Sequence, residues 1–328
     1  QPADLAILYI ANPAVFGSGA SGAGPFFLRN FNTGVVDLIG NFARSRYNSL
    51  QVELRKNFSQ GLYFQFNYTL QKTLTDASGV GQTRFDPLID NANRRNEYAR
   101  ADFDTEHVIN FNALYELPFG KGKPFFNQGG LTDILVGGWQ LGAILRFSTG
   151  APISITDPRG TLNRAGRSGR QTAFSPLSNS EISGLIGIFR TPCGVFFINP
   201  AVININQINL ASGNCTALGS GRGAEGFGQP AFPGQVFFNV APGETGNMAR
   251  NAWNGPIYYN WDLSLLKNIR FRENMRLQLR AEAFNAFNRT NFFVGVFPGN
   301  GNINSTNFGR ITSSYPARVL QFAARFEF

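Results

Sequence analysis

Histidine, methionine and cysteine are nearly absent: 328 residues hold one His, two Met and two Cys. With His107 as the lone histidine, a His-based catalytic triad has no second support, and a hydrogen-bonding residue facing a lumen or a loop is the plainer expectation. Two cysteines with no histidine near them fall short of a zinc ligand set. No run approaches the roughly 18 apolar residues of a membrane-spanning helix, so any crossing of a membrane has to be made by strands. The net charge is +9, yet Arg and Lys are scattered over strands and loops rather than gathered in a stripe, which argues against nucleic acid as a partner. The first residues, from Gln1, carry no basic-then-apolar leader. An exported chain of this kind is expected to be a processed product or a piece of something longer.

What is abundant points one way. The chain has 33 Phe, 37 Gly and 17 Pro, a composition for pleated strands joined by turns and loops rather than for helices. The last residues are the most telling. Leu320, Phe322, Ala324, Phe326 and Phe328 fall on one side at period two, and Gln321, Ala323, Arg325 and Glu327 on the other. An apolar face opposite a charged one, ending flush on an aromatic residue, suits a barrel strand with lipid outside and polar space inside.

The same alternation recurs upstream. Leu50, Val52 and Leu54 oppose Gln51 and Glu53; after a turn at Ser59–Gly61, Phe64, Phe66 and Tyr68 oppose Gln65 and Asn67. Ile109, Phe111 and Ala113 oppose Asn110 and Asn112, and a fourth strand runs through Trp139, Leu141, Ala143, Leu145 and Phe147. Tyr259, Trp261, Leu263 and Leu265 mark a fifth, and Leu277, Leu279 and Ala281 oppose Arg276, Gln278, Arg280 and Glu282 on a sixth. The fold class expected is therefore all-β: antiparallel up-and-down strands of an outer-membrane-type barrel, about seven or eight in number, with long extracellular loops. Residues 1–46 read as an amino-terminal extension or loop, with room for a first strand, and 47–328 as the barrel segment. The ten polar residues just named are expected to line the lumen, while Trp139, Tyr259, Trp261 and Phe328 face outward.

Connection lengths agree. Ser59–Gly61, Pro118–Gly137 and Arg272–Asn274 are the shorter set; Asp76–Asp104, Ala151–Pro256 and Arg289–Pro316 are the longer, in strict alternation. Outer-membrane barrels segregate short periplasmic turns from long extracellular loops in this way.

Several segments carry a family resemblance. They are Tyr47–Lys56, Tyr115–Lys123, Gly137-Gly-Trp-Gln140, Trp261–Leu265, Arg280–Asn288 and the terminal strand. In order and spacing they resemble the carboxy-terminal part of a TonB-dependent outer-membrane receptor of the Oar-like type common in acidobacteria. The resemblance implies a wall cut from a 22-stranded barrel whose full form also has a plug. Neither a plug nor a TonB-contacting box is found in these residues, so transport by this piece alone is not expected. The ending, with Phe322, Phe326 and Phe328, resembles the signal read by the barrel-assembly machinery, which makes that machinery and outer-membrane lipid the expected partners.

Other motifs were weighed against plainer roles. Gly17–Gly22 and Gly219–Gly223 lack the strand-then-helix context of a phosphate loop and read as loop glycines. Asp86, Asp90, Glu97, Asp102 and Asp104 do not follow the calcium-loop spacing, and with Arg84, Arg94, Arg95 and Arg100 among them they read as salt-bridged loop packing. Cys193 and Cys215 share the long 151–256 excursion. In an exported protein they read as a disulfide closing a ring of about 23 residues, worth about 3 kcal/mol in the chain-entropy account. No enzyme, cofactor or metal role is expected. Two function classes follow: the barrel of a receptor or transporter in the bacterial outer membrane, or a processed, self-assembling surface protein forming a ring, tube or filament. Open strand edges and a long loop expected to pack against something favour a homo-oligomer in the second case.

Overall fold

A computed structural model describes residues 40–77, 89–90, 92–159, 161–162, 171–204, 223–225, 229–272, 275–294 and 301–328. Seven long strands form its wall: β1 (Ser45–Ser59), β2 (Leu62–Thr75), β3 (His107–Glu116), β4 (Trp139–Ser148), β5 (Tyr258–Arg272), β6 (Met275–Phe284) and β7 (Val319–Glu327). Each pairs antiparallel with its sequence neighbour, a plain meander with no crossover. Turn chemistry fixes the first hairpin. Gln60 and Gly61 both sit at positive φ, +54° and +78°, the geometry of the two-residue turn whose twist matches that of its strands. No ladder joins β1 to β7 among the described residues.

The register is the one the alternation calls for. Glu53 lies opposite Asn67, and Asn67 opposite Asn110. Across the other end of the wall, Gln278 lies opposite Arg325 and Glu282 opposite Gln321. Trp139 faces Lys267, Trp261 faces Leu145 and Tyr259 faces Phe147. Directly opposed residues share a face, so these aromatics belong to the apolar face and the ten polar positions to the other.

The wall holds none of the buried hydrophobic residues. Leu50, Leu54 and Leu320 are exposed, and Phe322 is 77% exposed. Every residue of the main core cluster comes instead from the two longest connections, 149–257 and 285–318. Those connections form a cap on one end of the wall. A hairpin of Ile186–Thr191 and Gly194–Ile198 gains a third strand, Arg310–Ile311, from the other connection. Phe196, Phe197, Phe237 and Phe308 are fully buried beneath it. The Phe237 and Phe308 rings meet edge-on at 5.5 Å and 76°. A five-residue helix, Asn179–Ser183, opens with a capping box: the Ser178 hydroxyl accepts from the Glu181 N–H, and the Glu181 carboxylate accepts from the Ser178 N–H at 2.8 Å. At the neck, where this connection leaves and re-enters the wall, Gly255 N–H donates to Ala151 O at 2.8 Å. A Cβ on Gly150 would lie 2.1 Å from the Gly255 carbonyl oxygen, so only glycine allows the approach.

The long connection is expected from its length to pack against something. Its described residues pack against one another and against the 285–318 connection. Its apolar residues follow no strand period long enough to be read as an element, which is why the sequence pattern missed it.

Because the core and the wall share no buried residues, they should fail separately. Phe308→Ala is expected to cost the cap roughly 3–5 kcal/mol. Limited proteolysis should then cut within 150–257 while the heat-dependent gel mobility of the barrel stays unchanged; loss of both together would show one cooperative unit.

Candidate functional site: a polar wall beneath a clasped cap

The polar face of the wall carries Gln51, Glu53, Gln65, Asn67, Asn110, Asn112, Arg276, Gln278, Arg280 and Glu282, and none of the ten is buried. They bond to one another and to neighbours on the same face, both across and along strands. Gln65 donates to Glu53 at 3.1 Å, and Gln278 to Asn268 at 3.1 Å. Arg280 pairs with Glu282 at 2.6 Å, and Arg325 pairs with Glu327 at 2.9 Å. Arg276 pairs with the same Glu327. The result is a hydrogen-bonding surface of amides and paired charges, suited to solvating a polar solute.

Above it, the cap is clasped by charges. Glu97 is fully buried, and its carboxylate accepts from Arg250 Nη1 at 2.8 Å and from the Ile89 N–H. Arg250 Nη2 reaches Asp102 at 3.3 Å, while Asn251 donates to Asp102 at 2.6 Å and to the Arg100 carbonyl at 2.7 Å. Arg100 pairs with Asp104, whose other oxygen accepts from the Thr73 N–H at the top of β2. One connection, 76–106, is thus bound to the far end of another, 149–257. A cavity of about 60 Å³ lies at their junction, lined by Asp102, Ser154, Thr156, Gln171, Arg250 and Asn251. It is large enough for ordered water and no more.

Two further polar posts fix the cap. Asp157 is fully buried, holds Arg159 through two oxygens and accepts from the Val240 N–H at 3.0 Å. Asn285, at φ +51°, turns the chain out of β6: its backbone N–H donates to Asp262, and its side-chain amide donates to the Arg289 and Pro316 carbonyls.

The acidic cluster is therefore salt-bridged packing, as its arginines suggested, but Arg250 is the partner that matters, about 150 residues along the chain. Nothing in the spacing of Arg250, Asn251, Asp157 or Arg159 marks them. Asp86 and Arg84 lie outside the described residues, as does Gly17–Gly22. A Cβ on Gly223 would lie 2.4 Å from the Phe308 ring, which makes that glycine part of core packing. His107 does form a hydrogen bond, Nδ1 to the Tyr68 hydroxyl at 2.9 Å. Its register opposite Leu70 puts it on the apolar face, not a lumen-facing one. Phe322 and Phe326 lie on the apolar face opposite Ala281 and Leu277, and Phe326 stacks on Phe328 at 6.2 Å.

Cys193 is buried in the turn of the cap hairpin; Cys215 lies outside the described residues. Their pairing is expected to leave neither thiol free for labelling in the unreduced, denatured protein, and two reactive thiols would refute it.

A meander with one apolar face, no core behind it and alternating short and long connections is the wall of an outer-membrane β-barrel. Comparison with known families bears this out: the chain belongs to the outer membrane beta barrel domain family, matched over residues 4–321. It is a protein of the bacterial outer membrane, and its long connections are extracellular loops. Neither the curated proteins nor the solved structures gave a match.

Removing one partner of the clasp leaves a buried charge without compensation. Arg250→Ala is expected to cost roughly 3–5 kcal/mol locally. Hydrogen exchange should rise across 89–104 and at the 149–257 neck while β3 to β6 keep their protection.

Proposed function

We propose that this chain is the barrel part of a TonB-dependent receptor or transporter, its polar face lining the lumen of a barrel wider than seven strands. The carrying observation is that none of the ten polar-face residues is buried and that Gln51, Glu53, Asn110, Asn112, Arg276 and Arg280 are exposed. A barrel of seven or eight strands fills its interior with side chains, which would bury Gln51, Glu53, Arg276 and Arg280. A wall that leaves them open suits a large lumen, where a solute or an interior domain meets them. The folded extracellular cap supports the same reading, since binding residues concentrate on loops held by a rigid scaffold. Transport in this reading requires a plug and a TonB-contacting segment elsewhere in the gene product. The barrel-assembly machinery would read the terminal strand through Phe322, Phe326 and Phe328.

The test uses the full-length gene product. It should bind the periplasmic domain of TonB in a pull-down, and in planar bilayers it should stay closed until urea loosens its interior. A permanently open pore with no TonB complex would overturn the reading.

A second reading, a self-assembling surface protein, is favoured by the outer edges of β1 and β7, which pair with no strand among the described residues, because unpaired edges recruit further strands. Mass measurement in mild detergent and in plain buffer separates the two. A ring or polymer of 36.0 kDa units supports self-assembly, and a monodisperse 36.0 kDa species in both refutes it.

A further inference from the structure

The turn 117–138 straddles the periplasmic rim of the wall. On the polar side, Lys123 pairs with Glu116 at 2.7 Å. On the apolar side it builds something else. The short helix Leu131–Val136 is drawn against the lipid-facing surface by two side chains of that face, Trp139 and Lys267. Trp139 Nε1–H donates to the Leu135 carbonyl at 3.1 Å. The Lys267 ammonium donates to the same carbonyl at 3.2 Å and to the Gly137 carbonyl, and it lies 5.1 Å from the Trp139 ring centroid. A lysine on a lipid-facing strand is thus spent on two carbonyls and an indole, which is how a charge is tolerated near a membrane interface. Held there, the helix points apolar side chains outward: Leu131 is 79% exposed and Leu135 71%.

Beside Trp139, on the same face, is a groove of about 500 Å³ lined mostly by apolar residues, with Lys267 and Arg280 also contributing to its walls. Leu265, Leu279, Ala281, Phe322 and Ala324 line it, the two alanines forming its floor between larger neighbours. A flat barrel exterior has no need of such a recess.

We propose that this groove and the helix beside it form a binding site for one phospholipid of the periplasmic leaflet, an acyl chain lying along Ala281 and Ala324 and the headgroup level set by Trp139 and the Leu131–Val136 helix. Three observations select that occupant. The groove is continuous with the face that the outer membrane covers. Its lining reaches Trp139 and Lys267, at the end of the wall that carries the short turns, where the leaflet is phospholipid. The Trp–Lys pair that closes it is the interfacial anchor expected at headgroup depth. Lys121, exposed on the same turn, offers a charge to an anionic headgroup. The site stands on the membrane placement of the wall and is independent of any transport role.

Native mass spectrometry of the full-length gene product, extracted from outer membranes in mild detergent, tests it. The wild-type protein should keep one phospholipid through collisional activation that strips the rest, and Ala281→Phe, which fills the groove, should keep none at unchanged heat-dependent gel mobility. If Ala281→Phe does not fold, Ala324→Phe serves the same comparison. Equal retention by wild type and groove-filled variant, retention of lipopolysaccharide in place of phospholipid, or a second copy of the chain seated there would each overturn the proposal.

Discussion

A strand inside a bilayer has no water to bond its backbone, so each amide and carbonyl must find a partner on a neighbouring strand. That single constraint organises the wall. It explains why the seven strands follow one another as a meander, since nearest-neighbour ladders satisfy the backbone with the shortest connections. It also explains why both faces can stay open: the wall is held by its ladders and by the phases on either side, not by a core. Leu50, Leu54, Leu320 and Phe322 are exposed because the surface meant to cover them is lipid rather than protein.

The cap obeys the opposite rule. It stands in water, so it must bury apolar area of its own, and it does so around Phe196, Phe197, Phe237 and Phe308. It must also tie three connections together, each leaving the wall at a different place. Hydrophobic packing joins the second and third, where Arg310–Ile311 completes the cap hairpin. Charge joins the first to the second, through Glu97 and Arg250. A buried pair of this sort contributes little net stability over an apolar substitute, but it fixes which segment docks where. Here it specifies the seat of the 76–106 connection against the far end of the 149–257 connection.

Legibility follows from these two rules. The wall could be read from sequence because its environment has a period: two phases on two faces impose alternation, and a slip of one residue would turn Trp261 and Tyr259 inward and Asp262 outward. The faces of Gln51, Asn67, Gln278 and Glu282 are therefore legible in the sequence. The cap could not be read, because its residues answer to contacts between distant segments. Arg250 meets Glu97 across about 150 positions, and Asp157 meets Asn304 across a similar span. His107 shows the limit within a strand. Its polarity suggested the lumen, but its register sets it on the apolar side, where the Tyr68 hydroxyl supplies the partner its ring needs.

Lys267 shows the same limit from the other direction. By alternation it belongs to the lipid-facing side, and by polarity it should not. The conflict is resolved by the turn that follows β3, whose helix ends on carbonyls within reach of that ammonium. A break in the apolar pattern of a barrel strand is thus a marker of what lies beside it: either the residue is near an interface, or another element has come round to partner it. Both hold for Lys267, so this departure from the alternation of its strand identifies the place where the turn after β3 leaves the polar side of the wall and settles on the apolar side.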